Sequence, residues 1–407
     1  MFLAASLLAM LPAAGAGPTV TALAPSANGR LLFVAMKSDE KKETGYVCVW
    51  DLAKPGLKTV ISGLPSDVWT IQPTADGKRF VLIAGDRRRV TRIEVHDTTA
   101  KKRLHGFDMP EQDFALAAIS PDGNWVATRS QTEDTGKHVG GRWRVWNTET
   151  GKHAEQVEKA VGTIRAAPGF STDSKRLVLV SPTEYAEFDL ATGKKEKSWE
   201  RLIRPGAIIR ESGGWMVVLP NGKGAVTVSP TGKRRQSYVV RILTEKKEWR
   251  ALEIWDFANP PIVSPDGRQL IVSGGGAPNG PATQVLKLNA DGSPEVEGNP
   301  ERPAWSEWLL GEGKQNRGEP PRTMAFSANG KRLFAGGSSG NLHVYTTEKG
   351  VPKATLFTAA PGKDELPDWH IVTPTGEFVA SPAEAESLAK AGKVKDAAKV
   401  LAALGVE

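Results

Sequence analysis

Six histidines and one cysteine are the first residues to test for chemistry in this chain of 407 residues. His96, His105, His138, His153, His343 and His370 are too far apart in sequence to form the H-x-x-x-H pair that sets two imidazoles on one helical face for zinc. Cys48 stands alone, which excludes an intrachain disulfide and a thiolate zinc cluster. A nucleophile elbow of the form G-x-S-x-G is missing, because Gly337-Ser338-Ser339-Gly340 has the wrong spacing and joins two strand-like runs. No glycine-rich phosphate loop follows a strand and opens a helix. Asn289-Ala290-Asp291-Gly292 lacks the carboxylates of a calcium loop and reads as a turn. We therefore assign no catalytic, cofactor-binding or metal-ligating residue, and no cofactor, from the sequence.

What remains is chemistry for contact. Gly298 to Arg322 is rich in Pro, Gly and charge, yet carries Trp305, Trp308, Leu309 and Leu310. Apolar side chains in a polar loop either fold back on a core or meet a partner. These four residues are the candidate contacts to a protein partner whose identity the sequence does not give. The charged loop Lys37 to Gly45 reads as solvated. The formal charge is +7, and its basic clusters (Arg87 to Arg89, Lys101 to Arg103, Lys233 to Arg235, Lys246-Lys247) are scattered over turns. Without aromatics interleaved on one face, they point to solvated hairpin ends and not to a nucleic-acid groove.

The elements that must carry such loops are short strands. Gly 42 and Pro 28 in 407 residues mark a turn-rich chain. One signature recurs: Ser or Thr, then Asp or Asn with Gly, between two apolar runs. It stands at Ser26 to Gly29, Pro73 to Gly77, Ser120 to Gly123, Ser171 to Ser174, Ser229 to Gly232, Ser264 to Gly267 and Ser327 to Gly330. Asp/Asn-Gly accepts the positive φ of a tight turn between twisted antiparallel strands, so each copy is expected to be a hairpin. A second column closes a later strand with an aromatic or apolar residue and a small polar one. Its members are Trp50-Asp51, His96-Asp97, Trp146-Asn147, Phe188-Asp189, Trp255-Asp256, Leu288-Asn289 and Tyr345-Thr346. Both columns give seven copies, at about the 40–50-residue period of a propeller blade.

On these residues the chain resembles WD40-repeat proteins of bacterial type. The "WD" strand ending is present in Trp50-Asp51 and Trp255-Asp256 and, with Asn, in Trp146-Asn147, whereas the Gly-His dipeptide of typical repeats is absent. The resemblance implies an all-β fold, a seven-bladed β-propeller over residues 17–360, with eight blades as the alternative because Arg210 to Pro220 offers an extra hairpin. The twelve Trp are then expected in the wedges between blades. Asp189 to Lys194 followed by Trp199 is similar to the D-x-x-T-G-K…W pattern of quinoprotein propellers, and T-G-K is also a common propeller turn. Residues 361–382 resemble a hairpin module of the pattern W-I-x-x-T-P-x-G that follows bacterial propellers. A helical tail, 383–407, is expected as helices 383–391 and 394–404 with Leu388, Ala397, Leu401 and Leu404 on the apolar face.

Residues 1–16 form an uncharged apolar leader ending in Ala14-Gly15-Ala16, which resembles a signal peptide. It is too short to span a bilayer, so no stable membrane insertion is expected after cleavage. The expectation is an exported, periplasmic or secreted, non-enzymatic scaffold for protein–protein interaction. The alternative is a propeller enzyme or small-ligand binder with its site in the central channel.

Overall fold

A computed structural model describes residues 18–37, 44–65, 68–86, 89–108, 113–131, 143–162, 166–180, 184–200, 215–219, 224–230, 237–245, 248–255, 261–273, 283–295, 323–337, 340–348, 350–359 and 366–405. The leader and the Trp305, Trp308, Leu309 and Leu310 segment lie outside them.

Short runs rich in β-branched and aromatic residues, cut by turns, leave the chain little choice but small antiparallel sheets. Thr19–Pro25, Leu31–Lys37, Thr44–Asp51 and Gly56–Pro65 form the first, in chain order. The second holds Val68–Pro73, Arg79–Asp86, Arg89–Asp97 and Lys102–Asp108, and the third Asp113–Ile119, Trp125–Gln131 and Trp143–Asn147, joined to the second by the single pair Val90 and Phe114. Ala167–Phe170, Arg176–Val180, Glu184–Asp189 and Lys195–Glu200 make the fourth. Trp215–Val218, Ala225–Pro230, Ser237–Leu243 and Glu248–Trp255 make the fifth, and Ile262–Val263, Gln269–Ser273 and Thr283–Lys287 the sixth. The last begins with Thr323–Phe326, Arg332–Gly336, Leu342–Thr346 and Pro352–Thr358.

Two readings change in the fifth sheet. Trp215–Val218 is its first strand, so Arg210 to Pro220 supplies no separate hairpin. Asn221-Gly222 falls between the first and second strands, and Ser229 to Gly232 between the second and third. Trp255 accordingly ends a fourth strand. The Ser-Pro-Thr-Gly tetrad mimics the repeat signature one hairpin late. In the third sheet, helix α1 (Glu155–Val161) stands where a fourth strand would pair. Its Glu158 Oε1 accepts the Val145 N–H at 2.9 Å, occupying an edge donor that a strand would have taken.

Each strand alternates its two faces, and each face meets a neighbouring sheet. Phe33 and Phe80 share an apolar cluster between the first and second sheets, Val81 and Trp146 one between the second and third, and Leu177 and Trp143 one between the third and fourth. Tyr185 and Val218 join the fourth to the fifth, Ile242 and Leu270 the fifth to the sixth, and Ile271 and Phe326 the sixth to the last. A further cluster holds Leu32, Trp50 and Val20 of the first sheet with Phe334 and Val344 of the last. The sheets therefore close on themselves. Trp50, Trp143 and Trp146 are buried in these junctions, where the wedge reading placed them.

Closure needs close backbone approach. Val20 N–H donates to Gly337 O at 3.0 Å, and a Cβ at Gly336 would meet the Val20 side chain at 2.7 Å. The C-terminal segment reinforces this junction. Trp369–Val372 pairs with Pro352–Thr358 and Glu377–Ala380 with Trp369–Val372, widening the last sheet. Trp369 meets Trp50 edge to face at 5.8 Å and lies over Gly56 of the first sheet. Two helices follow: α2 (Pro382–Lys390) starts at the expected Ser-Pro, and α3 (Ala397–Leu404) is shorter than expected because Val394–Lys395 pairs with Glu377–Ala380. The buried face is Leu388, Val400, Ala403 and Leu404, whereas Ala397 is exposed and Leu401 only half-buried. Arg332 Nε and Nη2 donate to Ala403 O and Ala402 O, docking the end of α3 on the last sheet.

His370 stacks on Phe357 and pairs through Nδ1 with Glu384 Oε2 at 3.1 Å, linking the hairpin to α2. Burial holds its imidazole below the ordinary value, with Glu384 pulling the other way. A histidine whose folded pKa lies below its unfolded value contributes stability that is full above about pH 6.5 and is lost as pH falls. His370→Phe, which keeps the stack and cannot titrate, is expected to flatten the fall in urea midpoint between neutral pH and pH 5. Leu404→Ala is expected to cost about 2–5 kcal/mol by the same measurement, as for other fully buried leucines; a neutral result would mean that α3 does not hold the junction.

Candidate functional site

Antiparallel order gives every sheet two unlike ends. The first-to-second and third-to-fourth turns leave one end, and the second-to-third connection and the passage to the next sheet leave the other. At the first end the turns are nearly identical. Ser120 Oγ donates to Asp122 Oδ1 at 2.6 Å and accepts Trp125 N–H at 2.9 Å, while Asp122 Oδ1 also accepts Asn124 N–H at 3.0 Å. The same arrangement recurs at Ser26/Asn28, Thr74/Asp76, Ser171/Asp173, Ser264/Asp266 and Ser327/Asn329. Positive φ is confined to the next residue, +72° at Gly123 and +58° at Ser174, so the Asp or Asn does not take the left-handed conformation expected of a two-residue turn. It serves instead as a side-chain acceptor, in the style of an Asx turn, before a single left-handed residue.

The second column has an equally local cause. Asp51 Oδ1 accepts the Ala53 and Lys54 N–H groups at 3.0 and 2.9 Å, and Asp97, Asn147 and Asp189 do the same for the residues after them. In Asp189 to Lys194 the Thr192 hydroxyl also donates to Asp189, and with the Thr192 and Ala191 N–H groups it holds that carboxyl below its ordinary value. This D-x-x-T-G-K stretch is a third-to-fourth turn. Trp199 stacks on Tyr185 with centroids 3.5 Å apart.

These turns touch one another around the ring. A Cβ at Gly123 would lie 3.0 Å from Pro73 O and Thr74 N of the preceding turn, and Asp122 N–H donates to Ser174 Oγ of the following one at 3.1 Å. Gly77 faces Leu31 and Ser26, Gly29 faces Ala328, and Gly330 faces Pro265. The described turns thus form a contiguous collar at one end. It carries Arg30, Lys78, Lys175, Arg268 and Lys331 beside the carboxylates of the same turns, whereas Arg87-Arg88 and Lys233 to Arg235 belong to connections between second and third strands.

The other end is unlike it. Its connections are unequal, from 87–88 to 132–142 between second and third strands and from 66–67 to 201–214 between sheets. The segment with Trp305, Trp308, Leu309 and Leu310 follows the turn after the third strand of the three-stranded sixth sheet and precedes Thr323–Phe326, and it lies outside the described residues. Nothing places those four side chains beside one another.

Buried charges elsewhere are already spoken for. Glu94 receives His96 Nε2 at 2.8 Å and Arg103 at 3.2 Å; burial raises its carboxyl, but these partners outweigh that and hold it low. Trp146 Nε1–H donates to His153 Nε2, His153 Nδ1 contacts Glu158, and Arg144 pairs with the same carboxylate. Tyr185 donates to Glu187, which Arg176 neutralises at 3.1 Å. Cys48 is buried, and burial pushes its thiol up to about 12. Among the described residues no cluster of three His, Cys, Asp or Glu could hold a metal ion. The first strands of all the sheets contain one titratable residue, Asp113.

No family model matches this sequence, and no curated protein matches it. Among solved structures it is similar to a chain of Kuenenia stuttgartiensis hydrazine synthase, with a TM-score of 0.50 and 16% identity, covering 82% of this chain and 97% of that one. The fold is propeller-like. At that identity the likeness carries architecture alone. Among the described residues no helix is long and apolar enough to cross a membrane.

The collar predicts large effects from small changes. Ser120→Ala, which strands the Trp125 N–H and frees Asp122, is expected to cost about 1–3 kcal/mol of unfolding free energy. Gly123→Ala adds left-handed strain and a clash with the preceding turn, and is expected to cost at least about 1 kcal/mol. Urea titration checks both, and unchanged midpoints would contradict the hydrogen-bonded turn.

Proposed function

We propose that the chain is an exported WD40-like propeller of seven blades that acts as a non-enzymatic platform for protein–protein interaction. One apolar cluster at each junction, including the one between last and first sheets, supports seven. A four-stranded fifth sheet, using the segment that suggested an eighth blade, supports it too. The observation that carries the functional reading is the contrast between the ends. Uniform turns at one end hold the ring rigid, and unequal connections at the other supply variety, the arrangement by which scaffolded loops acquire binding specificity. The contact residues on this reading are Trp305, Trp308, Leu309 and Leu310. First strands with a single carboxylate among them favour binding over channel catalysis.

The test is the double variant Trp305→Ala/Trp308→Ala in affinity capture from the native compartment with mass spectrometry. Loss of a specific partner with an unchanged melting temperature is the expected result. A lowered melting temperature with capture intact would assign the two rings to the core and end the interface reading.

A further inference from the structure

The chain enters the ring at a tight point. Pro18 stands against Gly340, where a Cβ would run into Pro18 O and lie 3.4 Å from Pro18 N. Val20 N–H donates to Gly337 O at 3.0 Å, and the Val20 side chain fills the space left bare at Gly336. On its other side the strand is already paired, Thr19 with Lys37 and Val20 with Met36. Gly336, Gly337 and Gly340 of the last sheet thus form a backbone cradle for residues 18–20. Gly340 has a φ of +74°, so both its left-handed backbone and its missing side chain are needed there. This is a use for Gly337-Ser338-Ser339-Gly340 that its sequence, with no nucleophile elbow, does not suggest.

A single residue, Gly17, separates Pro18 from Ala16, the end of the Ala14-Gly15-Ala16 site. Leader removal hydrolyses the Ala16–Gly17 peptide bond. The C–N bond breaks, one water is consumed, Ala16 leaves as a carboxylate and Gly17 keeps an ammonium. A protease takes its substrate as an extended strand on both sides of that bond, through main-chain hydrogen bonds. One extended residue reaches at most about 3.6 Å. Pro18, with φ fixed near about −65°, adds no slack. The main chain beyond it is already committed to Gly340 and Gly337. A closed ring therefore withholds the bond from an enzyme's cleft.

Resting on the exported reading of this chain, we propose that Ala16–Gly17 is a processing site open to hydrolysis only before the first strand docks on the last sheet, so that leader removal precedes ring closure. The order of synthesis suits this. Gly340 lies more than 300 residues after Pro18. A chain emerging at about 5–20 residues per second offers the bond for roughly 15–60 s before its closing partner is made. Once the cradle forms, any leader still attached is locked to the ring.

The test incubates the folded full chain, leader included, with a purified signal peptidase in detergent micelles, and reads the product by intact mass and N-terminal sequencing. Two comparators present the same bond. One is the same chain diluted from urea directly into the enzyme. The other is a folded chain with about eight Gly/Ser residues inserted between Gly17 and Pro18, which lengthens the reach by up to about 28 Å. Both are expected to be cleaved after Ala16 at least about tenfold faster than the folded parent, because cleavage of a closed site follows the fraction of time it is open. Gly340→Ala, which crowds Pro18 and leaves the cleavage sequence untouched, is expected to fall between. Equal rates for the folded parent and the lengthened chain would overturn the proposed order while leaving the leader in place as a leader. No cleavage in any arm would instead end the leader reading, and the proposal with it.

Discussion

A ring of sheets stands or falls at the junction where its first sheet meets its last. Here every sheet is built from consecutive strands, so no strand is exchanged across that junction. The work falls to one backbone hydrogen bond from Val20 to Gly337, to the missing side chain at Gly336, and to the cluster around Leu32, Trp50 and Phe334. The C-terminal hairpin and helices add Trp369, Ile371, Val400 and Leu404 to the same junction. A segment that looks appended in sequence is thereby part of the closure, because an apolar face that the ring alone leaves uncovered is the face on which it lies.

Closure in turn makes the two ends of the ring different. Strand alternation brings the first-to-second turns to one end, and the hydroxyl–carboxylate or hydroxyl–carboxamide device makes six of them equal in length and shape. Equal turns can contact one another, as Gly123 does with Pro73 and Asp122 with Ser174, and that contact fixes the angle between neighbouring sheets. Connections at the opposite end have no such duty and vary freely. Rigidity at one end is what permits variety at the other.

The sequence was legible where a residue type has a local cause. Ser120, Asp122 and Gly123 each fill a role that few other residues fill, so the hairpins could be read from them. Asp189 and Asp51 are similar, since an Asx acceptor must sit just before the turn it caps. Reading failed where the cause is distant. Ser229 to Gly232 carries the right letters in the wrong connection, and only strand pairing shows it. Helix α1 left a weak trace, Val157 and Val161 at helical spacing before Gly162, but its replacement of a strand depends on Glu158 meeting Val145. The buried face of α3 shifted from Ala397 and Leu401 to Val400 and Ala403 because the last sheet, not the helix pattern, sets which side docks. Arg30, Lys78, Lys175, Arg268 and Lys331 were visible one by one, but their place in one collar is a property of the closed ring.

The central claim is that the ring closes between its first and last sheets, and amide hydrogen exchange at Val20 measures it most directly. The account predicts that the Val20 N–H is protected to the level of the Val34 and Val47 amides inside the first sheet, and that deleting residues 366–407 lowers that protection while leaving the fourth sheet unchanged. Exchange of Val20 at the rate of an unpaired edge strand, in the full chain, would contradict closure and the two-ended architecture that rests on it.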